Sequence, residues 1–411
     1  MNKSALVTIA KSLGIVIVLL FIFEVFCFYQ IKNSKRIVKI QGNPKLEMYL
    51  PLLKHSKLNE EDLIKHFNNI KSLQNINNGA REYHPYLIYN LKPNLRSETF
   101  WTNSYGLLDD EPDFSKKQIL LLGSSVTGGG MRQNLGENID HYLENLIEKK
   151  IGSKKYEVLN AGVGGYSSPQ EFIMMHLLFD KINFDKIIYF SGANDIDSRY
   201  RVVNHDNLRS FDSIHSRMIK SQIEQNKLLR KNPIISLYTY VKNYFLRSLY
   251  SYQYLSRIVS NKMVYRNKPI KEEALTAKDN SHIDEIVKGY LSNVEKMIIL
   301  AKSKNIELYV GIQPIALDKN FRTKDEEKNL NIILNSYGYK YKLYFNKAYP
   351  QMRKGLNILK KKYPENLIIL NTKTVFDKTK IDIYRDNVHF LEYANEIVAK
   401  KIFDKLKFTE K

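Results

Sequence analysis

The chain has 411 residues, of which 64 are Lys or Arg and 43 are Asp or Glu, so its formal net charge is +21. Hydrophobic residues make up 43% and charged residues 26%, which is typical of a folded protein and excludes an intrinsically disordered chain. The single cysteine, Cys27, excludes an intramolecular disulfide framework and a cysteine-based zinc module. The basic residues are spread along the chain without a recognisable nucleic-acid-binding module, so we do not expect a nucleic-acid partner.

The first predicted element is an apolar segment near the amino terminus. Residues 12–29 are apolar except for Glu24, and a run of about 18 such residues is just long enough to cross a bilayer. The run does not end in the small residues that mark a signal-peptide cleavage site. We therefore expect residues 1–36 to be an uncleaved, single-pass membrane anchor.

Residues 37–115 form a membrane-proximal segment with a mixed pattern and one predicted helix near 60–71. From Lys116 onward, short apolar runs alternate with amphipathic stretches. The predicted strands are 118–123, 156–160, 186–191, 306–312 and 366–370, and the predicted helices are 137–150, 169–179, 283–302 and 391–406. This alternation of buried strands and helices predicts an α/β fold with a parallel sheet over residues 116–411.

Residues from about 199 to 280 interrupt this alternation. The segment is rich in tyrosine and arginine, and we expect a helical insertion with helices near 214–229 and 234–259. A packing subdomain and a substrate lid are both consistent with this pattern, and the sequence leaves the choice open.

Four loops at the predicted carboxyl-end edge of the sheet carry polar residues. They are Gly123–Ser125 after the first strand, Asn160–Gly165 after the second, Gly192–Asp195 after the third, and Asp386–His389 before the last helix. Any one of these loops is explained by helix capping or by a glycine turn. Together they supply a nucleophile, a base, a carboxylate and hydrogen-bond donors at the edge where open α/β sheets place their sites.

These residue types predict nucleophilic catalysis by a serine. Ser125 is the candidate nucleophile, His389 is the base that accepts its proton, and Asp386 orients the imidazole from three residues away. The backbone amides of Ser125 and Gly165 and the side-chain amide of Asn194 are the candidate oxyanion donors.

Other sites fit the sequence less well, and we expect neither a cofactor nor a metal. The loop after Gly123 lacks the Lys-Ser/Thr pair of a phosphate loop, and Ser167 stands where a dinucleotide fingerprint has its third glycine. Thr127 replaces the second glycine of a lipase-type nucleophile elbow. No HExxH pair is present among the nine histidines.

In their order along the chain, the four loops resemble the conserved blocks of the SGNH (GDSL-type) hydrolase superfamily. The resemblance covers roughly residues 116–406 and implies a flavodoxin-like three-layer sheet fold with Ser125, Gly165, Asn194, Asp386 and His389 in the roles given above. One departure is Ser124, which stands where the family usually has Asp. Because Ser124 is not the nucleophile, the chemistry should be retained.

The pieces HPYLIY, KPN and NSYGL, together with the apolar segment, resemble the membrane-anchored bacterial members of this superfamily. The resemblance implies a hydrolase domain on the periplasmic or extracellular side of the cytoplasmic membrane, in the context of cell-surface polysaccharide. Within HPYLIY, His84 is expected to serve the packing of a turn.

The sequence thus predicts an esterase that removes an ester-linked acyl group, with O-acetyl on a cell-surface glycan as the expected substrate. Two alternatives stay open. One is O-acyl transfer to a sugar hydroxyl through the same acyl-serine, and the other is a non-catalytic glycan-binding or membrane scaffold protein. The sequence does not predict an oligomeric state.

Overall fold

A computed structural model describes residues 3–36, 80–96, 101–129, 138–151, 155–202, 249, 251 and 271–408. The chain divides into two compact units, one of Met1–Glu47 with Met218–Pro269 and one of Met48–Arg217 with Ile270–Lys411. The predicted helices at 60–71 and 214–229 lie outside the described residues, as does nearly all of the one at 234–259. The predicted domain bounds and the role of the insertion remain predictions.

In the first unit, helix α1 spans Lys3–Arg36. Its segment Lys11–Gln30 is long and apolar enough to cross a membrane. Most apolar side chains of this segment are exposed, with Leu20 63% and Phe21 70% accessible, whereas Cys27 is buried. The Glu24 carboxylate accepts a hydrogen bond of 3.0 Å from the backbone N–H of Ser251, which belongs to the same unit. The segment is therefore a candidate membrane span.

The second unit is built on a parallel sheet. A hairpin of β1 Arg81–His84 and β2 Ile88–Leu91 precedes the sheet. The strands of the sheet are β3 Lys117–Gly123, β4 Tyr156–Gly162, β5 Phe184–Ser191, β6 Glu307–Ile312 and β7 Leu367–Leu370. Strands β3 to β7 pair in parallel in the order β4-β3-β5-β6-β7. All five strands predicted after Lys116 are confirmed.

Helices cover both faces of this sheet. In chain order they are α2 Ile139–Ile151, α3 Ser168–Phe179, α4 Ala193–Val202, α5 Ala277–Ser303, α6 Lys324–Tyr337, α7 Tyr339–Lys362 and α8 Ala394–Phe403. Helices α2 and α8 pack together, while α3 and α7 both pack on α5. Four of these helices were predicted, whereas α4, α6 and α7 were not. The predicted α/β three-layer fold is confirmed.

The interior explains this layering. Ile119 to Leu122 of β3 are all fully buried, as expected for a strand covered on both faces. Ala394, Val398 and Ile402 lie four residues apart on α8 and are also fully buried against the sheet. This stripe is the one that the spacing of apolar residues indicates.

The strand order also sets the position of the site. The strands follow the flavodoxin-like order, in which the chain reverses its direction of progress between β3 and β5. In open α/β sheets the crevice for a ligand forms at the carboxyl ends of the strands beside such a reversal. The loops that carry Ser125 and Asn194 leave these two strands.

The antiparallel hairpin β1–β2 was not predicted. Its turn is closed by His84, whose Nδ1 accepts hydrogen bonds from the N–H groups of Tyr86, at 3.3 Å, and of Leu87, at 3.2 Å. His84 therefore has the turn-forming role that the sequence indicates.

Candidate active site

Ser125 and His389 meet at the carboxyl end of β3, although 264 residues separate them in sequence. The distance from Ser125 Oγ to His389 Nε2 is 2.8 Å. With a hydrogen on Nδ1, the imidazole can accept the Ser125 hydroxyl hydrogen at Nε2. This is the arrangement that nucleophilic attack by serine requires.

Asp386 faces the other side of the same imidazole. Its Oδ2 lies 2.9 Å from His389 Nδ1 and its Oδ1 lies 3.1 Å from that atom. Oδ1 also accepts the backbone N–H groups of Val388, at 2.8 Å, and of His389, at 2.7 Å. The carboxylate therefore stabilises the turn that carries His389 through backbone hydrogen bonds, as in an Asx turn. It also holds the imidazole ring in place.

The electrostatics of this pair favour an ionised carboxylate. Burial by itself raises the pKa of Asp386, but the charge of His389 and the hydrogen bonds that His389 donates outweigh it and hold the pKa well below its usual range. The side chains remain partly accessible, with 25% of His389 and 16% of Asp386 exposed. A substrate can reach the imidazole while the carboxylate stays charged.

Close packing of backbone fixes the loops after β3 and β4. A Cβ on Gly162 would lie 2.2 Å from the backbone nitrogen of Gly128, so only glycine fits there. Thr127 Oγ1 donates to the carbonyl of Phe190 in β5 at 2.9 Å. Asn160 Nδ2 donates to the carbonyl of Thr127 at 2.9 Å. These bonds join the ends of three neighbouring strands around Ser125.

The last loop is tied to the sheet as well. The backbone N–H of Ala316, beyond β6, donates to the carbonyl of Asn387 at 2.8 Å. Gln313 donates from its side chain to the carbonyl of Val388. The turn with Asp386 and His389 is therefore held from the carboxyl end of β6.

The candidate oxyanion donors Gly165 and Asn194 share one neighbour, Tyr166. Gly165 has a φ of +89°, which favours glycine, and it lies in a turn closed by a 3.1 Å hydrogen bond from Tyr166 N–H to Val163 O. Asn194 Nδ2 donates to the carbonyl of Tyr166 at 2.8 Å. A primary amide carries two hydrogens, so this bond fixes the side chain and is compatible with donation to an oxyanion.

Two buried carboxyl groups, Glu171 and Asp195, accept hydrogen bonds near the Asn194 loop. Glu171 accepts the hydroxyl hydrogens of Ser191, at 2.5 Å, and of Tyr189, at 2.8 Å. Asp195 accepts that of Ser168 at 2.6 Å. Burial raises the pKa of Glu171 to about 8 and that of Asp195 to about 6.

The raised pKa of Glu171 has a defined sign for stability. Between its ordinary pKa of 4.5 and about 8, the folded chain holds a proton at Glu171 that the unfolded chain releases. The stabilisation is complete below pH 4.5 and is lost as the pH rises through about 8.

Ser124, which stands where the sequence resemblance leads one to expect Asp, is 1% exposed. Among the described residues, no group of three or more His, Cys, Asp or Glu side chains could hold a metal ion. Sequence reasoning missed Arg81 and Tyr89, which contact the glycine loop beside Ser125.

Comparison with known proteins gives structural neighbours only, since no family model and no curated protein matches the chain. One solved structure is an acetyl xylan esterase, AlAXEase, with 15% identity over 70% of this chain and 98% of that chain at a TM-score of 0.35. Another is a carbohydrate acetylesterase family member from Sinorhizobium meliloti, with 12% identity over 70% and 96% of the two chains at 0.34. A third is a lipase/acylhydrolase from Enterococcus faecalis, with 13% identity over 70% and 94% at 0.35.

These TM-scores lie below 0.5, and the fold is instead read from the strand order and the helix layers of this chain. Three of the four blocks lie at the carboxyl ends of β3, β4 and β5 in a flavodoxin-like sheet, and the fourth is bound to the same edge beyond β6. The chain therefore has a flavodoxin-like three-layer α/β fold, the fold class that the sequence resemblance implies.

Proposed function

We propose that the protein is an SGNH-type serine esterase that hydrolyses an ester-linked acyl group. The observation that carries this proposal is the continuous chain of contacts from Ser125 Oγ through the His389 ring to the Asp386 carboxylate, at 2.8 and 2.9 Å. A nucleophile, a base and an orienting carboxylate in this geometry are what acyl transfer to serine needs.

In the first step, Ser125 Oγ attacks the ester carbonyl carbon while its proton passes to His389 Nε2. The negative charge that develops on the carbonyl oxygen is stabilised by the N–H groups of Ser125 and Gly165 and by the Asn194 amide. His389 then gives its proton to the departing alcohol oxygen, which leaves an acyl ester on Ser125. Asp386 stabilises the imidazolium in this step.

In the second step, His389 removes a proton from water, which attacks the acyl carbon. The tetrahedral intermediate collapses with release of the carboxylic acid, and the proton returns from His389 to Ser125 Oγ. If a sugar hydroxyl takes the place of water, the same intermediate gives O-acyl transfer instead.

We propose O-acetyl groups on a cell-surface glycan as the substrate, with the enzyme anchored by α1 and its hydrolase domain outside the cytoplasmic membrane. A small, partly open cavity beside His389 is lined in part by Val126, Gly129 and Phe390, and its small size favours a short acyl group over a long chain. The net charge of +21 favours a negatively charged polymer.

The test uses the full-length chain in detergent micelles with p-nitrophenyl acetate and a fluorophosphonate serine probe. Ser125→Ala should abolish both hydrolysis and labelling. Ser336→Ala, on the exposed side of α6, is the matched control and should leave both unchanged. A Ser125→Ala protein that hydrolyses the ester at the wild-type rate would refute the mechanism.

Substrate and reaction are tested on acetylated polysaccharides. Release of acetate without an acceptor supports hydrolysis, whereas consumption of an added sugar acceptor in proportion to ester loss supports transfer. Cleavage of p-nitrophenyl acetate without activity on any acetylated glycan would contradict the proposed substrate and leave the esterase assignment intact.

A further inference from the structure

Two side chains outside the four blocks hold one carbonyl group beside the nucleophile. Arg81 Nη2 donates to the carbonyl oxygen of Gly164 at 2.7 Å, and the Tyr89 hydroxyl donates to the same oxygen at 3.1 Å. The Arg81 guanidinium also lies 4.9 Å from the centre of the Tyr89 ring. Both residues belong to the hairpin β1–β2, which precedes the sheet by some 25 residues in sequence.

The carbonyl of Gly164 and the N–H of Gly165 belong to one peptide group. In a trans peptide these two bonds point in opposite directions, so the orientation of the carbonyl sets that of the N–H. The turn from Val163 to Tyr166 has Gly165 in its third position with a φ of +89°, as in a type II turn. A type I turn would turn this central peptide over and reverse the N–H.

A pair of glycines leaves that reversal sterically open, because neither residue has a Cβ to oppose it. The two hydrogen bonds from Arg81 and Tyr89 exist only while the Gly164 carbonyl faces the hairpin. They therefore stabilise the orientation in which the Gly165 N–H faces the opposite way.

Gly164 also lies against the nucleophile. A Cβ built on Gly164 would be 3.7 Å from Ser125 Cβ and 2.8 Å from Arg81 Nη2. Gly164 is thus close to both the hairpin and Ser125. An N–H that points away from the hairpin is suited to meet the oxygen of an ester whose carbon is attacked by Ser125.

We propose that Arg81 and Tyr89 are positioning residues that aim the Gly165 N–H at the oxyanion of the reacting ester. This inference rests on the proposed esterase function. It assigns to the hairpin β1–β2 a part in catalysis that no residue of the four blocks supplies.

The hairpin is itself well anchored for this task. The Tyr166 hydroxyl donates to the carbonyl of Tyr89 at 2.5 Å, and Gln170 Nε2 donates to that of Leu87 at 2.9 Å. Tyr89 is fully buried, and burial raises its pKa to about 12, so its hydroxyl stays a donor throughout the working pH range.

The size of the effect is bounded by the value of one oxyanion donor, whose loss typically costs roughly 100- to 1000-fold in kcat. Tyr89→Phe removes one of the two bonds and should lower kcat by about 10-fold. Arg81→Lys loses the planar guanidinium but keeps the charge and should cost about 10- to 100-fold. The double variant should approach the loss in kcat caused by Asn194→Ala. In both cases one oxyanion donor, the misoriented Gly165 N–H or the deleted Asn194 amide, no longer reaches the oxygen. KM should stay within about twofold.

The experiment measures kcat and KM for p-nitrophenyl acetate with the full-length chain in detergent micelles. The rate is expressed per active site, from the amount of Ser125 that a fluorophosphonate probe labels, so that partial misfolding does not lower kcat. Tyr83→Phe removes a hydroxyl from an exposed tyrosine of the same hairpin, and Arg96→Lys changes an exposed arginine paired with Asp110. Both matched controls should behave as wild type.

A second readout is inhibition by phenylboronic acid, which forms a tetrahedral adduct with a nucleophilic serine. If the hairpin aims the donor, the inhibition constant should rise in Tyr89→Phe and Arg81→Lys by about the same factor as kcat/KM falls. A purely structural role would lower the labelled fraction and the melting temperature without changing the inhibition constant or kcat/KM per labelled site.

The outcomes separate this inference from the esterase assignment. If Ser125→Ala keeps the wild-type rate, the assignment of Ser125 as the nucleophile fails and the inference fails with it. If Ser125→Ala is inactive but Tyr89→Phe and Arg81→Lys keep their kcat per labelled site, only the inference is overturned. A rise in KM with kcat unchanged also overturns it, since Arg81 would then bind substrate. If Arg81→Lys fails to fold, Tyr89→Phe decides the question alone.

Discussion

Replacement of Asp386 by Asn tests the central contact of the site with almost no change in shape. The Asp386 Oδ1 atom accepts two backbone N–H groups, at 2.8 and 2.7 Å, and the amide oxygen of Asn can keep both bonds. The amide nitrogen then takes the place of Oδ2, which lies 2.9 Å from His389 Nδ1. A donor thus replaces the acceptor that faces the ring.

The ring must respond by changing tautomer. Its Nδ1 becomes an acceptor, the hydrogen moves to Nε2, and Nε2 can no longer accept the Ser125 proton across 2.8 Å. Tautomer reversal of this kind costs about 10⁴-fold in kcat, which corresponds to about 5 kcal/mol of barrier at 1.36 kcal/mol per tenfold. Because the two backbone bonds persist, the variant should still fold.

The assay is hydrolysis of p-nitrophenyl acetate per mole of folded protein, together with a thermal melt of each variant. Asp404→Asn, at a carboxylate that is 53% exposed, is the matched control and should keep wild-type activity. An Asp386→Asn enzyme within about tenfold of wild type, with an unchanged melt, would show that Asp386 does not set the tautomer of His389.

Asn194→Ala should lower kcat by roughly 100- to 1000-fold with little change in KM, as expected for loss of one oxyanion donor, and an unchanged kcat would exclude the side chain from that role. Glu171→Gln should flatten the fall in melting temperature between pH 5 and 8, because the Glu171 carboxyl, whose pKa is raised to about 8, is no longer there to titrate. If the variant keeps the wild-type pH dependence of melting temperature, a titratable group other than Glu171 causes that dependence. The full-length chain should resist extraction from membranes by carbonate or high salt, and removal of α1 should release it. Release of the intact chain by carbonate would contradict the membrane span in Lys11–Gln30.

The sheet was predictable because its strands are short apolar runs, which can be recognised as buried strands from the local sequence alone. The helices divide differently. α6 begins with a capping box formed by Thr323 and Glu326, a local signal that the sequence contains and that could have identified it. α7 contains Pro350, which disfavours a helix interior. Its packing on α5, which the local sequence does not indicate, explains why the helix forms.

The candidate site divides in the same way. Ser125, Asn194 and His389 lie in short motifs that sequence reasoning finds, and Asp386 lies close enough to His389 to be paired with it. Arg81 lies in no such motif, and Tyr89 ends the HPYLIY piece without any local signal of a role at the site. Their contacts with Gly164 span 83 and 75 residues of sequence. The hairpin that brings them there has strands of only four residues, too short for a clear alternation of polar and apolar positions.

The separation of Ser125 from His389 by 264 residues has a consequence for biosynthesis. At about 5 to 20 residues per second, Ser125 is made on the order of 10 to 50 s before His389, its proposed base. During that interval the growing chain contains a serine with no partner to remove its proton, and it is chemically inert toward the acyl esters it meets. Reactivity begins only when the last loop has joined the sheet, so fluorophosphonate labelling in a pulse-chase experiment should time the completion of the fold.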